Sequence, residues 1–285
     1  MIEKGKKTNE VHHMKHVPLS IKKSVQISFN IITGASTIAG LWGYTIRDIN
    51  DSISWWKWLL IILLAFIALS AAIFLKIKVF PKREYHTEIN GKPVTIKVGD
   101  VFEASGWKVI PFNERFDTIV DDRTIAHNTL NGKMIDEHVS DLGKLQSVIE
   151  QAKDDSSPYK PLEKDGRLIY PLGRIIDYDD YLLLAFSHFD EQNRAHIGIG
   201  EYELILHKMW NEIRRVYAGK AITIPLLGAG ITDITGMPEK NFTEFLKCIL
   251  CTLRSSKFKP ENGVTIVLTD AAMDKVDLER IRVEF

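Results

Sequence analysis

Ile222-Thr-Ile-Pro-Leu-Leu-Gly-Ala-Gly-Ile231 is the stretch that decides the fold class. Its apolar, β-branched start reads as a buried strand, and its Gly-x-Gly end as a tight turn at that strand's carboxyl terminus. After Thr232–Pro238 an amphipathic helical pattern runs over Phe242–Leu253. In open α/β sheets, ligands sit beyond the carboxyl ends of the strands. Glycines at such a place let backbone N–H groups approach and cradle a phosphate. The spacing is not a Rossmann fingerprint, because no third glycine opens the helix, and no Gly-Lys-Ser/Thr follows to make a Walker loop. Taken alone, a Gly-x-Gly turn is equally an ordinary turn.

Strand and helix patterns alternate on both sides of this unit. Val94–Val101 and Trp107–Phe112 read as strands with Gly106 marking a turn between them, and Leu142–Ala152 reads as a helix. Asp154–Gly166 is a polar loop, and Tyr181–Ser187 is a continuous apolar run suited to a central strand. Tyr202–Tyr217 carries a helical apolar stripe, and Val264–Leu268 is a last strand. This alternation predicts a three-layer α/β/α domain with a mixed central sheet over residues 93–285.

The chain has 285 residues, with 37 basic and 37 acidic side chains. The zero net charge is a cancellation. Residues 1–83 hold 12 Lys/Arg against 4 Asp/Glu, a balance of +8, and the remainder hold 25 against 33, a balance of −8. So acidic a domain is a poor partner for a nucleic-acid polymer, whose binding rests on Lys/Arg contacts to phosphate. Two cysteines exclude a disulfide scaffold. Cys248 and Cys251 share a helix face and read as core residues. His127, His138, His188 and His196 show no metal-ligand spacing, and the adjacent Asp121 and Asp122 read as a solvated loop. Neither a metal site nor a catalytic set is expected.

The N-terminal portion reads differently. Trp58–Leu75 is an 18-residue run without a charge, flanked by Lys57, Lys76 and Lys78 and preceded by Trp55 and Trp56. Hydropathy predicts a transmembrane helix over 55–78. A second uncharged run, Ser24–Ile46, is less greasy, with Gln26, Ser28, Asn30, Thr33, Ser36 and Thr37 in it, and would insert only marginally alone; as the first arm of a hairpin it predicts a span over 24–46. Residues 1–23 are then a basic N-terminus and 79–92 a tether. Lysines before the first span and after the second predict a multi-pass protein of the inner membrane, inserted in the lipid bilayer with both termini cytoplasmic. Gln26, Asn30, Thr33, Thr37, Gly40 and Tyr44 repeat every 3.5 residues, a seam for packing against the second span or against other chains.

Three further stretches bear on the Gly-x-Gly turn: Val98-Gly-Asp-Val101, Val109-Ile-Pro-Phe-Asn113 and Asn128-Thr-Leu-Asn-Gly-Lys133. In this order, and followed by Leu227-Gly-Ala-Gly-Ile231, they resemble the macro domain, a module that binds ADP-ribose. With a two-span anchor ahead of it, the whole chain resembles the membrane-anchored Thoeris antiviral effectors of the ThsA type. The resemblance implies a ligand site in which Asp100, beside Val101, meets the adenine amine. It implies that Asn113, after Phe112, lies near the distal ribose. It also implies that Asn128, Thr129, Leu130, Asn131 and Gly132 wrap the diphosphate, and that Leu227, Gly228, Ala229, Gly230 and Ile231 close on phosphate and ribose. The residues depart from hydrolytic macro domains, which carry a longer Asn-Ala-Ala-Asn strand end and a run of glycines before the helix.

The resemblance further implies a ligand-sensing effector that is not an enzyme and needs no cofactor. Its ligand would be an ADP-ribose-based messenger, histidine–ADP-ribose in this branch, made from NAD by a TIR-domain partner. Binding would drive homo-oligomer assembly, membrane disruption and abortive infection. The alternatives are a membrane-tethered ADP-ribosyl hydrolase and a passive scaffold whose glycine loop is only a turn.

Overall fold

In the computed structural model, residues 19–41, 55–79, 84–237 and 239–285 are described, and the chain divides into two units, Met1–Lys82 and Arg83–Phe285. The first unit holds helices α1 (Leu19–Leu41) and α2 (Trp55–Val79), which pack on one another. Ser24 and Ser28 are buried, and the Ser28 hydroxyl donates to the Ser24 carbonyl at 2.8 Å. The expected polar seam behaves otherwise. Gln26, Asn30, Thr33 and Thr37 are exposed, and the Thr33 and Thr37 hydroxyls donate back along their own helix to the Phe29 and Thr33 carbonyls, each at 2.8 Å. Tyr44 lies outside the described residues.

The two predicted membrane spans need correction. Among the described residues no helix is long and apolar enough to cross a membrane. The described part of α1 is interrupted by Gln26, Asn30, Thr33, Ser36 and Thr37. The transmembrane hairpin and the multi-pass inner-membrane location with cytoplasmic termini are therefore withdrawn. The basic residues at 1–18 lie outside the described residues.

The second unit is an α/β domain around a nine-stranded mixed sheet. Its strands are β1 (Glu84–Ile89), β2 (Lys92–Val98), β3 (Trp107–Asn113), β6 (Ile175–Tyr178), β7 (Tyr181–Phe189), β8 (Ala195–Gly198), β9 (Ile222–Pro225), β10 (Asp233–Thr235) and β11 (Val264–Leu268). A separate two-stranded ribbon, β4 (Leu162–Lys164) and β5 (Arg167–Ile169), forms within and just after the loop expected at 154–166. The sheet order is β1-β2-β11-β9-β3-β7-β8-β10, with β6 antiparallel along the first half of β7. The stretch β2-β11-β9-β3-β7 is parallel throughout, so five carboxyl ends emerge side by side.

These strands are buried on both faces. β9 is buried at every residue, and β7 is buried from Leu182 to Ser187. That pattern belongs to a sheet covered on both sides by helices. Helix α5 (Ile199–Val216) buries Tyr202, Ile205, Leu206, Met209, Trp210 and Ile213, one stripe at helical spacing. Helix α6 (Phe242–Ser256) packs beside it, capped by Asn241, whose side chain accepts from the Glu244 N–H at 3.2 Å. The Trp210 indole donates to Thr252 Oγ1 at 3.0 Å and ties α5 to α6. Arg174, fully buried, is neutralised by Glu212 and Asp155.

The domain begins earlier than the sequence reading placed it. Residues 84–89, assigned to the tether, form β1 and pair with β2 through an Asn90–Gly91 turn in which both residues have positive φ (55° and 77°). This is the two-residue hairpin that an Asn-Gly pair favours. Alternating charges kept β1 from looking like a strand, because it is a half-exposed edge.

His188 joins three elements beside the strand ends. Its Nδ1 lies 2.5 Å from Glu114 Oε2, just after β3, and its Nε2 lies 3.3 Å from Glu201 Oε1 on α5. The hydrogen bond to Glu114 raises its pKa above the usual histidine value, and Glu201 adds to this against partial burial. A raised folded pKa gives stability that is fully present below the unfolded value of about 6.5 and lost as pH rises through the folded one. His188→Gln should therefore lower the thermal midpoint more at about pH 5.5 than at about pH 9. A deficit that does not change with pH would show that His188 acts only by packing.

Candidate functional site

The parallel strand ends frame a cleft of about 770 Å³. Gly99 and Asp100 follow β2, Thr269 follows β11, and Leu226–Thr232 follow β9; Asn113 ends β3, and Ser187 and Phe189 end β7. Adjacent strands lie about 4.8 Å apart, so the four steps from β2 to β7 span about 19 Å. The cleft is thus an elongated groove with the glycine loop at its middle.

Turn chemistry builds this loop. Gly228 has φ of +85° and is buried. A Cβ there would lie 3.2–3.3 Å from Ile234, Phe245 and Tyr202. The Tyr202 hydroxyl donates to the Leu227 carbonyl at 2.8 Å, and the Ala229 N–H to the Leu226 carbonyl at 3.2 Å. Among the described residues no acceptor meets the N–H groups of Gly228, Gly230 or Ile231. Unpaired amides on a groove are donors in wait for an anion. Gly230 differs from Gly228, since a Cβ on it would meet nothing within 4 Å.

A second donor edge comes from the short helix Leu130–Lys133, which continues as the turn Met134–His138 and which we call α3. Its first-turn N–H groups, at Leu130 and Asn131, face no intrahelical partner. Thr129 caps it: its hydroxyl accepts from the Gly132 N–H at 3.2 Å and donates to the Ala126 carbonyl at 2.6 Å. The preceding loop is held by side chains. Asp121 accepts from the Arg123 and Thr124 N–H groups at 3.0 and 2.6 Å, and Asp122 accepts from the His127 N–H at 3.1 Å. The two backbone bonds hold the Asp121 carboxyl below its usual range.

The groove brings together Asp100, Val101, Phe112, Asn113, Asn128, Thr129, Leu130, Asn131, Leu227, Gly228, Ala229, Gly230 and Ile231. Gly132 is the exception among the sequence-chosen residues. It is buried away from the groove lining, and a Cβ on it would fall 2.3 Å from the Ala126 carbonyl. That glycine serves close packing of backbone on backbone. Asp100 is exposed, and its Oδ1 accepts from the Phe102 N–H at 3.0 Å, leaving Oδ2 for another donor.

Asn113 is only 1% exposed and is mostly committed within the fold. Its Oδ1 accepts from the Arg115 and Asp117 N–H groups at 2.9 and 3.3 Å, and its Nδ2 donates to Asp117 at 2.9 Å. One amide hydrogen remains for a ligand. The residues missed by sequence reasoning are Arg123, Lys133 and Lys275, cations on the rim of an acidic domain, and Ser187, Phe189 and Asn193 at the β7 end. Lys133 closes the stretch Asn128–Lys133 already singled out, whereas Arg123, Lys275 and the β7-end residues belong to none of the four stretches. Among the described residues no cluster of His, Cys, Asp and Glu could hold a metal ion.

The two loop glycines should separate on substitution. Gly228→Val combines positive φ with overpacking against Tyr202 and Phe245 and should cost about 2 kcal/mol or more of stability. Gly230→Val should stay within about 0.5 kcal/mol of the parent. Chemical denaturation measures both; equal losses would contradict this loop geometry.

Comparison with known proteins shows the family. The family model described as "Thoeris protein ThsA, Macro domain" matches residues 94–269. "Thoeris protein ThsA" of Bacillus amyloliquefaciens (strain Y2) is 36% identical over 234 residues, covering 78% of this chain and 78% of that protein. Among solved structures, the Oceanobacillus iheyensis macrodomain with ADP overlaps 71% of this chain and 98% of its own at 14% identity and a TM-score of 0.45. The same macrodomain with MES bound gives 13% identity and a TM-score of 0.46 over 71% and 98%. The chain belongs to the Thoeris ThsA family, and its second unit carries that family's macro domain.

Proposed function

We propose that the groove binds an ADP-ribose-derived messenger and that the protein is a sensing effector of antiviral defence. The observation that carries this is the order of chemistry along the strand ends. Asp100, an acceptor for an exocyclic amine, stands at the β2 end. The unpaired Gly228, Gly230 and Ile231 amides stand in the middle, where a diphosphate would lie. Asn113, Ser187, Phe189 and Asn193 stand at the β7 end, where a distal ribose and its substituent would lie. Base, diphosphate and second sugar are the sequence of groups in ADP-ribose. Arg123, Lys133 and Lys275 supply rim charge, so the diphosphate would not depend on amides alone.

Sensing is favoured over hydrolysis by the state of Asn113. Its carbonyl oxygen already accepts two backbone N–H groups, so it is poorly placed to orient an attacking water. In the full reading, a TIR-domain partner makes the messenger, with histidine–ADP-ribose as the leading candidate, and binding promotes assembly of several chains. The messenger must bind the assembled state more tightly than the resting one, because equal affinity shifts no equilibrium.

Calorimetric titration of the protein with ADP-ribose, NAD, histidine–ADP-ribose and adenosine tests this. Binding is expected for the ADP-ribose series, with no consumption of ligand and no release of ADP-ribose from a modified protein. Asp100→Ala should weaken ADP-ribose by about 1.5 kcal/mol, roughly tenfold, the lower end for a hydrogen bond to a charged group. It should leave an inosine analogue, which lacks the amine, unaffected. Equal loss for both ligands would remove Asp100 from adenine recognition, and turnover would replace the sensor by the hydrolase.

A further inference from the structure

Lys240 stands immediately before the Asn241 cap of α6 and is half-buried. Its ammonium donates to the Gly230 carbonyl. Burial pulls its pKa below the usual lysine value, and Asp233 only partly opposes this. Lys240 does not line the groove, whereas Gly230 and Ile231 do. All described peptide bonds are trans. In a trans peptide the carbonyl of one residue and the N–H of the next point to opposite sides. A Gly230 carbonyl turned toward Lys240 therefore turns the Ile231 N–H away from it.

The loop is held unevenly. Its first half is anchored by Tyr202 on the Leu227 carbonyl and by packing around Gly228. Its second half has open space around Gly230, and Ile231 is 73% exposed. The Lys240 bond is what fixes the peptide between them. We propose that Lys240 is a positioning residue for the groove's anion: it orients the Gly230–Ile231 peptide so that the Ile231 N–H is presented to a ligand phosphate. Its positive charge on the carbonyl also polarises that peptide and strengthens the N–H as a donor. The inference rests on reading the groove as a diphosphate site.

Two measurements on Lys240→Met and Lys240→Arg test it. The first needs no ligand: ¹⁵N relaxation should show the Ile231 amide order parameter falling below about 0.6 in Lys240→Met and staying near the parent value in Lys240→Arg. The second is titration. Lys240→Met should weaken ADP-ribose about 2- to 12-fold, a lost hydrogen bond's range, while adenosine, which has no phosphate, keeps its parent affinity; Lys240→Arg should restore most of the loss. An unchanged Ile231 order parameter in Lys240→Met overturns the positioning role, even with ADP-ribose binding reduced, because the lysine would then be touching the ligand itself. Equal weakening of adenosine and ADP-ribose overturns it as general damage. Failure of the parent protein to bind ADP-ribose overturns the reading of the groove, and the relaxation comparison still judges the lysine's hold on the loop.

Discussion

The site depends on one turn of the backbone. At the end of a fully buried strand the chain has to leave the sheet, and it does so at Gly228 with φ of +85°. A side chain at this point would press on Tyr202, Phe245 and Ile234, so the loop can sit against α5 and α6 only because the position is glycine. Tyr202 sits 2% exposed beneath it, with its phenol on the Leu227 carbonyl. The turn thus spends the Leu226, Leu227 and Gly230 carbonyls on the protein and leaves the Gly228, Gly230 and Ile231 amides without an acceptor among the described residues.

Five parallel strands make this local event useful. Strands that run parallel carry their carboxyl ends to one edge of the sheet, and the loops that follow them all start there. The result is a row of chemically different loop ends at fixed spacing. A chain segment with a net charge of −8 can hold an anion in such a row, because donors that carry no formal charge occupy its centre and cations from unrelated loops occupy its rim. His188, Glu114 and Glu201 brace the β7 end of the same row.

Much of this was legible in the sequence where local pattern and final burial agree. Val264–Leu268 is a strand with the expected bounds, and the stripe of α5 is buried as its spacing requires. All but one of the residues chosen from the four short stretches line the groove, since loop ends following parallel strands converge by topology. Gly132 packs against the Ala126 carbonyl and not on the groove lining, a difference hidden in sequence because a glycine that faces a groove and one that touches backbone look alike there. Lys133 ends one of those stretches, whereas Arg123 and Lys275 carry no sequence signal, because only tertiary folding brings them to the groove. The Asn90–Gly91 pair did signal a hairpin, but the charged alternation of β1 concealed it. The two expected spans fail for a different reason: freedom from charge over Ser24–Ile46 and Trp58–Leu75 does not by itself make a span, and among the described residues no helix is long and apolar enough to cross a membrane.

The central claim is that unpaired amides in the middle of the row receive a diphosphate. A crystal structure of the protein with ADP-ribose tests it most directly. The account predicts diphosphate oxygens about 3 Å from the Gly228, Gly230 and Ile231 nitrogens, with adenine at Asp100 and the second ribose toward Ser187. ADP-ribose bound outside the groove, or lying in it with adenine at the β7 end, would contradict it.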